Sequence, residues 1–407
     1  MEKPFCYKPF NSIFVELEEE SKPTILPCCC YEIDAPKAKF LDPLGKDAST
    51  LKDYFSSQRL HDLKNHFSTN NDFPDFGCQS CKFKEENGLT SYRNLYRINS
   101  DEHNFDPSIQ YIEIFIDRQC NMACFMCRPE SSTTLAHEYK TLGWLEKVPK
   151  GNASSIIPEL WLLPDNIQLN IVGGEPFMSK HFNKVLEVAA AKKWTVSTLT
   201  NASLVNKKAL SLLSQVGGVK FTVSVDGSGE LYSLMRWPSN WQKFTENFDM
   251  LKDIVKQKHG LNHMVKDEPT ALQRLHINYA VQVLNVCDLY NMIQWAKSHQ
   301  AYIRLTAVLQ TNPWTGWAIL EQDERENLIS WFKTVLEKDI FLYQKKEILG
   351  WINFLKTSKP NLIWREEFLN KIPKILKHRG IDITEATKNL FYADRLAQQL
   401  KERYDSL

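Results

Sequence analysis

The chain has 407 residues, 43% hydrophobic and 24% charged, which excludes a wholly disordered or fibrous polymer and allows a large core in two or three domains. Lys and Arg number 50 against 49 Asp and Glu, a net charge of +1, so no global surface charge supports nucleic acid or an anionic membrane as the main partner. No apolar run approaches the ~18 residues that span a bilayer, and Met1-Glu2-Lys3-Pro4 lacks the basic-then-apolar order of an export signal, so a soluble cytoplasmic protein is expected.

The first part of the chain, 1–107, reads as a small module with strand-like pieces at Ser12–Leu17 and Thr24–Leu26 and a helix around Leu51–Leu63. Its apolar core is thin, and it carries Cys6, the run Cys28-Cys29-Cys30, and Cys78 and Cys81 in a CxxC. Without an export signal, clustered thiols point to metal ligands rather than disulfides, and a metal would staple so small a core. Two ligands from the CxxC and two from separate segments suit zinc or an iron–sulfur cubane.

From Gln110 onward, β-branched or aromatic runs alternate with segments of helical period, the mark of βα units and a parallel sheet. The predicted strands are Tyr111–Asp117, Gln168–Val172, Thr195–Leu199, Val219–Val225, His276–Val283 and Tyr302–Ala307. Phe244, Phe248, Leu251 and Val255 recur at helical spacing, as do Leu289, Met292, Ile293 and Ala296. The fold class is therefore α/β: a partial (βα)6 TIM-like barrel over 108–312, with chemistry at the C-terminal ends of its strands. The break at Thr311-Asn312-Pro313 opens a helical region, 313–407, that carries no interpretable motif and whose tryptophans read as core.

Cys120, Cys124 and Cys127 form CxxxCxxC directly after the first barrel strand. Three thiolates on one short loop suit a 4Fe-4S cubane and leave one iron free of protein ligands, where a cofactor or substrate can bind. The competing readings are buried structural thiols, or three zinc ligands with His137 nearby. Beyond this loop lie Gly173-Gly174-Glu175-Pro176, Thr200-Asn201, Ser224-Val225-Asp226-Gly227 and Tyr232-Ser233-Leu234-Met235-Arg236, each at or after a strand end.

Together these segments resemble the radical S-adenosylmethionine (radical SAM) enzymes, over about Gln110 to Thr311. The resemblance implies that Cys120, Cys124 and Cys127 hold a 4Fe-4S cluster whose open iron chelates S-adenosylmethionine, and that one electron cleaves the cofactor to a 5′-deoxyadenosyl radical that takes hydrogen from a substrate. It assigns Gly173, Gly174, Glu175 and Pro176 to the methionine amino group, Ser224 and Arg236 within the SxDG and YxxxR segments to ribose and carboxylate, and Asp226 to the same segment. It also implies cofactor contacts for Asn201, Val283 and Met126. Two positions depart from the family pattern: Ala202 stands where Thr-Asn-Gly is frequent, and Met126 where an aromatic residue is.

The N-terminal cysteines are similar to the auxiliary iron–sulfur modules called twitch or SPASM domains, here ahead of the barrel. That resemblance implies a second 4Fe-4S cluster on Cys6, Cys28, Cys78 and Cys81, with zinc as the alternative. It implies a small-molecule or peptide substrate and an electron donor of the flavodoxin or ferredoxin type. The alternative of another class is a non-enzymatic, metal-stapled binding or redox-sensing protein. An open iron beside GGEP and SxDG segments argues against it, since a structural site has no use for cofactor contacts.

Overall fold

A computed structural model describes residues 6–17, 23–32, 48, 50–70, 72–86, 91–93, 109–260, 274–307 and 313–407. The chain folds as two compact units, one of residues 1–119, 149–199 and 206–220, the other of residues 120–148, 200–205 and 221–407.

In the first unit, β1 (Ser12–Leu17) pairs antiparallel with β2 (Pro23–Leu26) and parallel with β3 (Tyr111–Phe115), and β4 (Gln168–Val172) and β5 (Thr195–Thr200) continue in parallel. The register sets Ile13 against Ile112, Ile114 against Ile171 and Leu169 against Val196. Strand pleating sends these side chains to one buried face, where helix Phe182–Ala191 contributes Val185, Leu186 and Ala189 to the core. The alternate positions are polar: Glu113 accepts hydrogen bonds from the Tyr111 hydroxyl at 2.7 Å and from Asn170 Nδ2 at 2.9 Å. The helix expected around Leu51–Leu63 is two helices, Leu51–Ser56 and Gln58–Thr69. Ser57 divides them, because its hydroxyl accepts from the Leu60 amide and makes it an N-cap.

The second unit takes Phe221–Ser224 of β6 (Gly218–Ser224) with β7 (Leu275–Val281) and β8 (Tyr302–Ala307), all parallel, with Val223 opposite Ile277 and Ile277 opposite Ile303. Helices Trp241–His259 and Leu289–Ser298 bury the apolar faces their spacing predicts. The C-terminal part is helical as expected, built from Gln322–Leu336, Leu342–Thr357, Leu362–Arg379 and Asp394–Asp405 with a shorter helix, Ile383–Thr387, between the last two. Trp317 and Trp351 pack edge to face at 5.0 Å beside Phe332, so these rings are core. Glu324 and Arg365 form a buried ion pair at 2.6 Å between two of these helices. Among the described residues, no helix is long and apolar enough to cross a membrane.

Candidate active site

The CxxxCxxC loop lies in the second unit. Cys120 and Cys124 are buried, and Cys127 and Met126 pack against the apolar cluster they form with Met122. A helix start holds the loop's backbone. The hydroxyls of Thr133 and Thr134 donate to the Cys120 carbonyl at 3.2 and 2.6 Å, and that of Ser132 donates to the Met122 carbonyl at 2.5 Å. Ser132 also caps helix Thr133–Thr141 by accepting from the Leu135 amide. Further along, the Ala123 amide donates to the Trp237 carbonyl at 2.6 Å and the Phe125 amide to that of Met235 at 3.3 Å.

Burial and mutual proximity govern the thiols' acidity. Desolvation, with Cys124 close by, pushes Cys127 up to about 12, and Cys124 is raised by burial despite the neighbouring Arg236 guanidinium. Without metal these thiols are neutral at pH 7, so loading a cluster must release protons and must strengthen as pH rises. The sign for folding is opposite. Raised thiol pKa values give stability that is complete below the free-thiol range and lost as pH climbs through the folded values, so metal-free protein is expected to weaken between about pH 9 and 12. Urea unfolding of metal-free and reconstituted protein across that range checks this, the reconstituted form being the less sensitive.

Around the loop, Asn201 Nδ2 lies 3.8 Å from Cys120 Sγ and 3.2 Å from Asn121 Oδ1, while its own Oδ1 accepts from the Ser203 amide and hydroxyl. Asn121 reaches Ser203 in turn at 2.9 Å. Asn201 thus ties the turn after β5 to Cys120. Ala202, where a glycine is frequent in similar proteins, adopts φ +54°, and the Asn247 side chain holds its carbonyl at 2.8 Å.

Asp226 and Arg236 form a buried ion pair at 2.5 Å, and Arg236 Nη1 lies 3.7 Å from Cys124 Sγ. The carboxylate raises the guanidinium's pKa against desolvation, whereas burial pushes Asp226 up against the pull of Arg236 and the Ala280 amide. Arg236 Nε, also buried, has no partner among the described residues, a donor suited to a carboxylate. Ser224 ends β6 half-buried, opposite Asn278 of β7. Val283 is fully buried, its amide bound to the Thr315 carbonyl and its own carbonyl accepting from the Tyr392 hydroxyl at 2.7 Å.

The GGEP segment belongs to the first unit, where it folds onto the chain that leads into Cys120. The Gly174 amide donates to the Asp117 carbonyl at 2.8 Å and the Glu175 amide to that of Gln119 at 2.7 Å. A β-carbon on Gly174 would sit 2.1 Å from the Gln119 carbonyl oxygen, and one on Gly173, at φ +134°, 2.7 Å from that of Asp117. Protein backbone on this side therefore requires both glycines. Glu175 is fully buried and caps the turn Pro176–Met178 through the Phe177 amide. Asp117 completes the arrangement, accepting from the Ser179 hydroxyl at 3.0 Å.

The first unit also holds the N-terminal cysteines. Cys6, Cys28, Cys78 and Cys81 line one small cavity of about 20 Å³, joined by Cys30, Lys8, Tyr92 and Arg93. Desolvation first, then neighbouring thiols, raise Cys6 to about 11 and push Cys28 and Cys78 well above the usual range. Cys29 is exposed, and Cys287 lies apart, 3.6 Å from Asn389 Oδ1. No three Cys, His, Asp or Glu side chains among the described residues converge on a single-ion site. Cys30 is the member that spacing did not single out.

Residues 114–270 match the family model of the radical SAM superfamily, a family that uses a 4Fe-4S cluster and S-adenosylmethionine. The chain is 26% identical over 212 residues to a GTP 3′,8-cyclase of Psychromonas ingrahamii, covering 51% of this chain and 55% of that one. It is 20% identical over 250 residues to an AdoMet-dependent heme synthase of Oleidesulfovibrio alaskensis, covering 61% and 58%. The chain thus spans little more than half the length of these curated relatives. Among solved structures, native anSMEcpe with bound AdoMet and Cp18Cys peptide aligns at TM-score 0.37 and 14% identity, covering 56% of this chain and 59% of that one. Streptococcus suis SuiB bound to S-adenosylmethionine aligns at TM-score 0.36 and 12% identity, covering 64% and 59%.

Proposed function

We propose that this chain is a radical SAM enzyme, with Cys120, Cys124 and Cys127 holding the catalytic 4Fe-4S cluster and S-adenosylmethionine bound at the iron they leave open. The observation that carries this reading is a backbone-braced CxxxCxxC loop, its cysteines packed in one cluster, inside the segment that matches the family model. The bound pair supplies one-electron cleavage of the sulfonium C–S bond and, through the 5′-deoxyadenosyl radical, removal of hydrogen from a substrate. Arg236, kept charged by Asp226, offers its free Nε to the cofactor carboxylate. The resemblance assigns Gly173, Gly174, Glu175 and Pro176 to the methionine amino group, Ser224 to the ribose, and cofactor contacts to Asn201, Met126 and Val283. The substrate is an organic molecule, a peptide by the resemblance of the N-terminal cysteines to SPASM modules, and the electron donor is of the flavodoxin or ferredoxin type. The non-enzymatic alternative gains no support from a buried cation with a free donor beside the loop.

The reading extends to an auxiliary cluster on Cys6, Cys28, Cys78 and Cys81 in the part of the chain over 1–107, ahead of a radical SAM core over 108–312 and a helical region over 313–407. Its support is that these four thiols line one cavity. Anaerobic reconstitution with iron and sulfide tests it: about eight irons per chain are expected, and about four would mean one cubane only. The C78A/C81A variant should lose half the iron and keep cofactor cleavage. Loss of all iron from that variant would show that the two sites are not independent.

A further inference from the structure

No motif marks the residues after Pro313, yet the last residue of helix Leu362–Arg379 reaches the cysteine loop. Arg379 Nε donates to Glu138 Oε1 at 2.7 Å, and Nη2 donates both to Glu138 Oε2 at 2.8 Å and to the Ala123 carbonyl at 2.5 Å. Arg379's side chain is fully buried and that of Glu138 nearly so. The guanidinium lies 4.8 Å from the Phe125 ring centroid and 5.1 Å from that of Trp237. Ala123 lies between two of the cysteines, and its amide is already held by the Trp237 carbonyl. The bond from Arg379 therefore fixes both sides of this residue, at the one turn of the loop that the helix start at Ser132, Thr133 and Thr134 does not reach.

A buried guanidinium is costly to desolvate, and an ion pair with Glu138 alone would not need this position. The added carbonyl bond uses the planar fork of arginine, which a lysine cannot reproduce. The geometry points to Arg379 as a positioning residue for the CxxxCxxC loop, with Glu138 as its orienting partner. The C-terminal helices thereby become part of the cluster-binding apparatus. The effect on the cluster rests on the function proposed above; the effect on the loop does not.

The test uses the full chain with the pair replaced by apolar residues, E138M/R379M, so that no buried charge is left alone. Hydrogen exchange of metal-free protein is read first. The amides of residues 120–127 should exchange about tenfold faster than in the wild type, with the core strands unchanged. If the double variant fails to fold, R379K serves: it keeps a cation beside Glu138 but cannot span to the Ala123 carbonyl, so severalfold faster exchange in the same segment is still expected. Exchange at the wild-type rate would overturn the positioning role. After reconstitution, the reduced cluster's electron paramagnetic resonance should broaden. An unchanged spectrum would overturn the influence on the cluster. If the wild type takes up no cluster but the variant's loop exchanges faster, the positioning role stands and the radical-enzyme reading fails.

Discussion

Replacing Cys120, Cys124 and Cys127 together with alanine is expected to abolish 5′-deoxyadenosine formation, a loss of at least about a thousandfold, because these thiols are the proposed ligands of the cluster that reduces S-adenosylmethionine. The fold should tolerate the change. The metal-free thiols behave as small apolar groups in the cluster with Met122, and the loop's carbonyls are held by Thr133, Thr134, Ser132 and Arg379 rather than by the sulfurs. The melting temperature of the metal-free variant should therefore lie within a few degrees of metal-free wild type, an order-of-magnitude expectation for three small truncations. Iron analysis should show loss of the cubane on this loop and retention of the N-terminal metal. Cofactor cleavage that survived the triple replacement would place the chemistry elsewhere.

The second large effect is expected at Arg236. Its replacement by methionine leaves the Asp226 carboxylate, fully buried, with one amide donor and no counter-charge, which costs about 3–5 kcal/mol. Urea unfolding at neutral pH measures this, and the D226N/R236M variant should recover much of the loss. The sign of the pH dependence follows from burial, which already raises the Asp226 pKa. Without Arg236 the pKa rises further, so the variant regains stability below about pH 4, where an exposed aspartate also protonates, and loses it as pH rises through the raised value. A deficit that did not shrink in acid would mean that the buried charge is not its cause. Cofactor cleavage should fall as well in both variants, since Nε and the charge 3.7 Å from Cys124 are lost together.

Local patterning carried much of the fold. The six barrel strands lie within two residues of their expected ends, because alternating and fully buried β-branched runs such as Ile112-Glu113-Ile114 have few other uses. Pairing was less accessible. That Ser12–Leu17 runs parallel to Tyr111–Phe115 depends on register between distant segments, which periodicity does not encode. The single helix expected around Leu51–Leu63 missed the capping power of Ser57.

The site divides along the same line. Cys120, Cys124 and Cys127 stood out by spacing, and Asp226 and Arg236 by their segments. That Asp226 and Arg236 pair with each other was not legible, nor was the role of Asn201 in bracing Asn121 and Ser203. Ser132, Thr133 and Thr134 carried a readable signal, a hydroxyl run just before a helical segment, which capping logic could have joined to the cysteine loop. Arg379 offered none, being 241 positions from Glu138 in the chain. The implied ligand set takes only Cys28 from the triple, yet the turn after Cys28 brings Cys30 to the cavity wall as well.

The central claim is tested most directly by anaerobic reduction of the reconstituted wild-type chain in the presence of S-adenosylmethionine, with 5′-deoxyadenosine quantified. The expected result is its formation from protein carrying the Cys120–Cys127 cluster and its absence from the triple alanine variant. A fully iron-loaded wild type that yields none, with candidate substrates present and absent, would contradict the account.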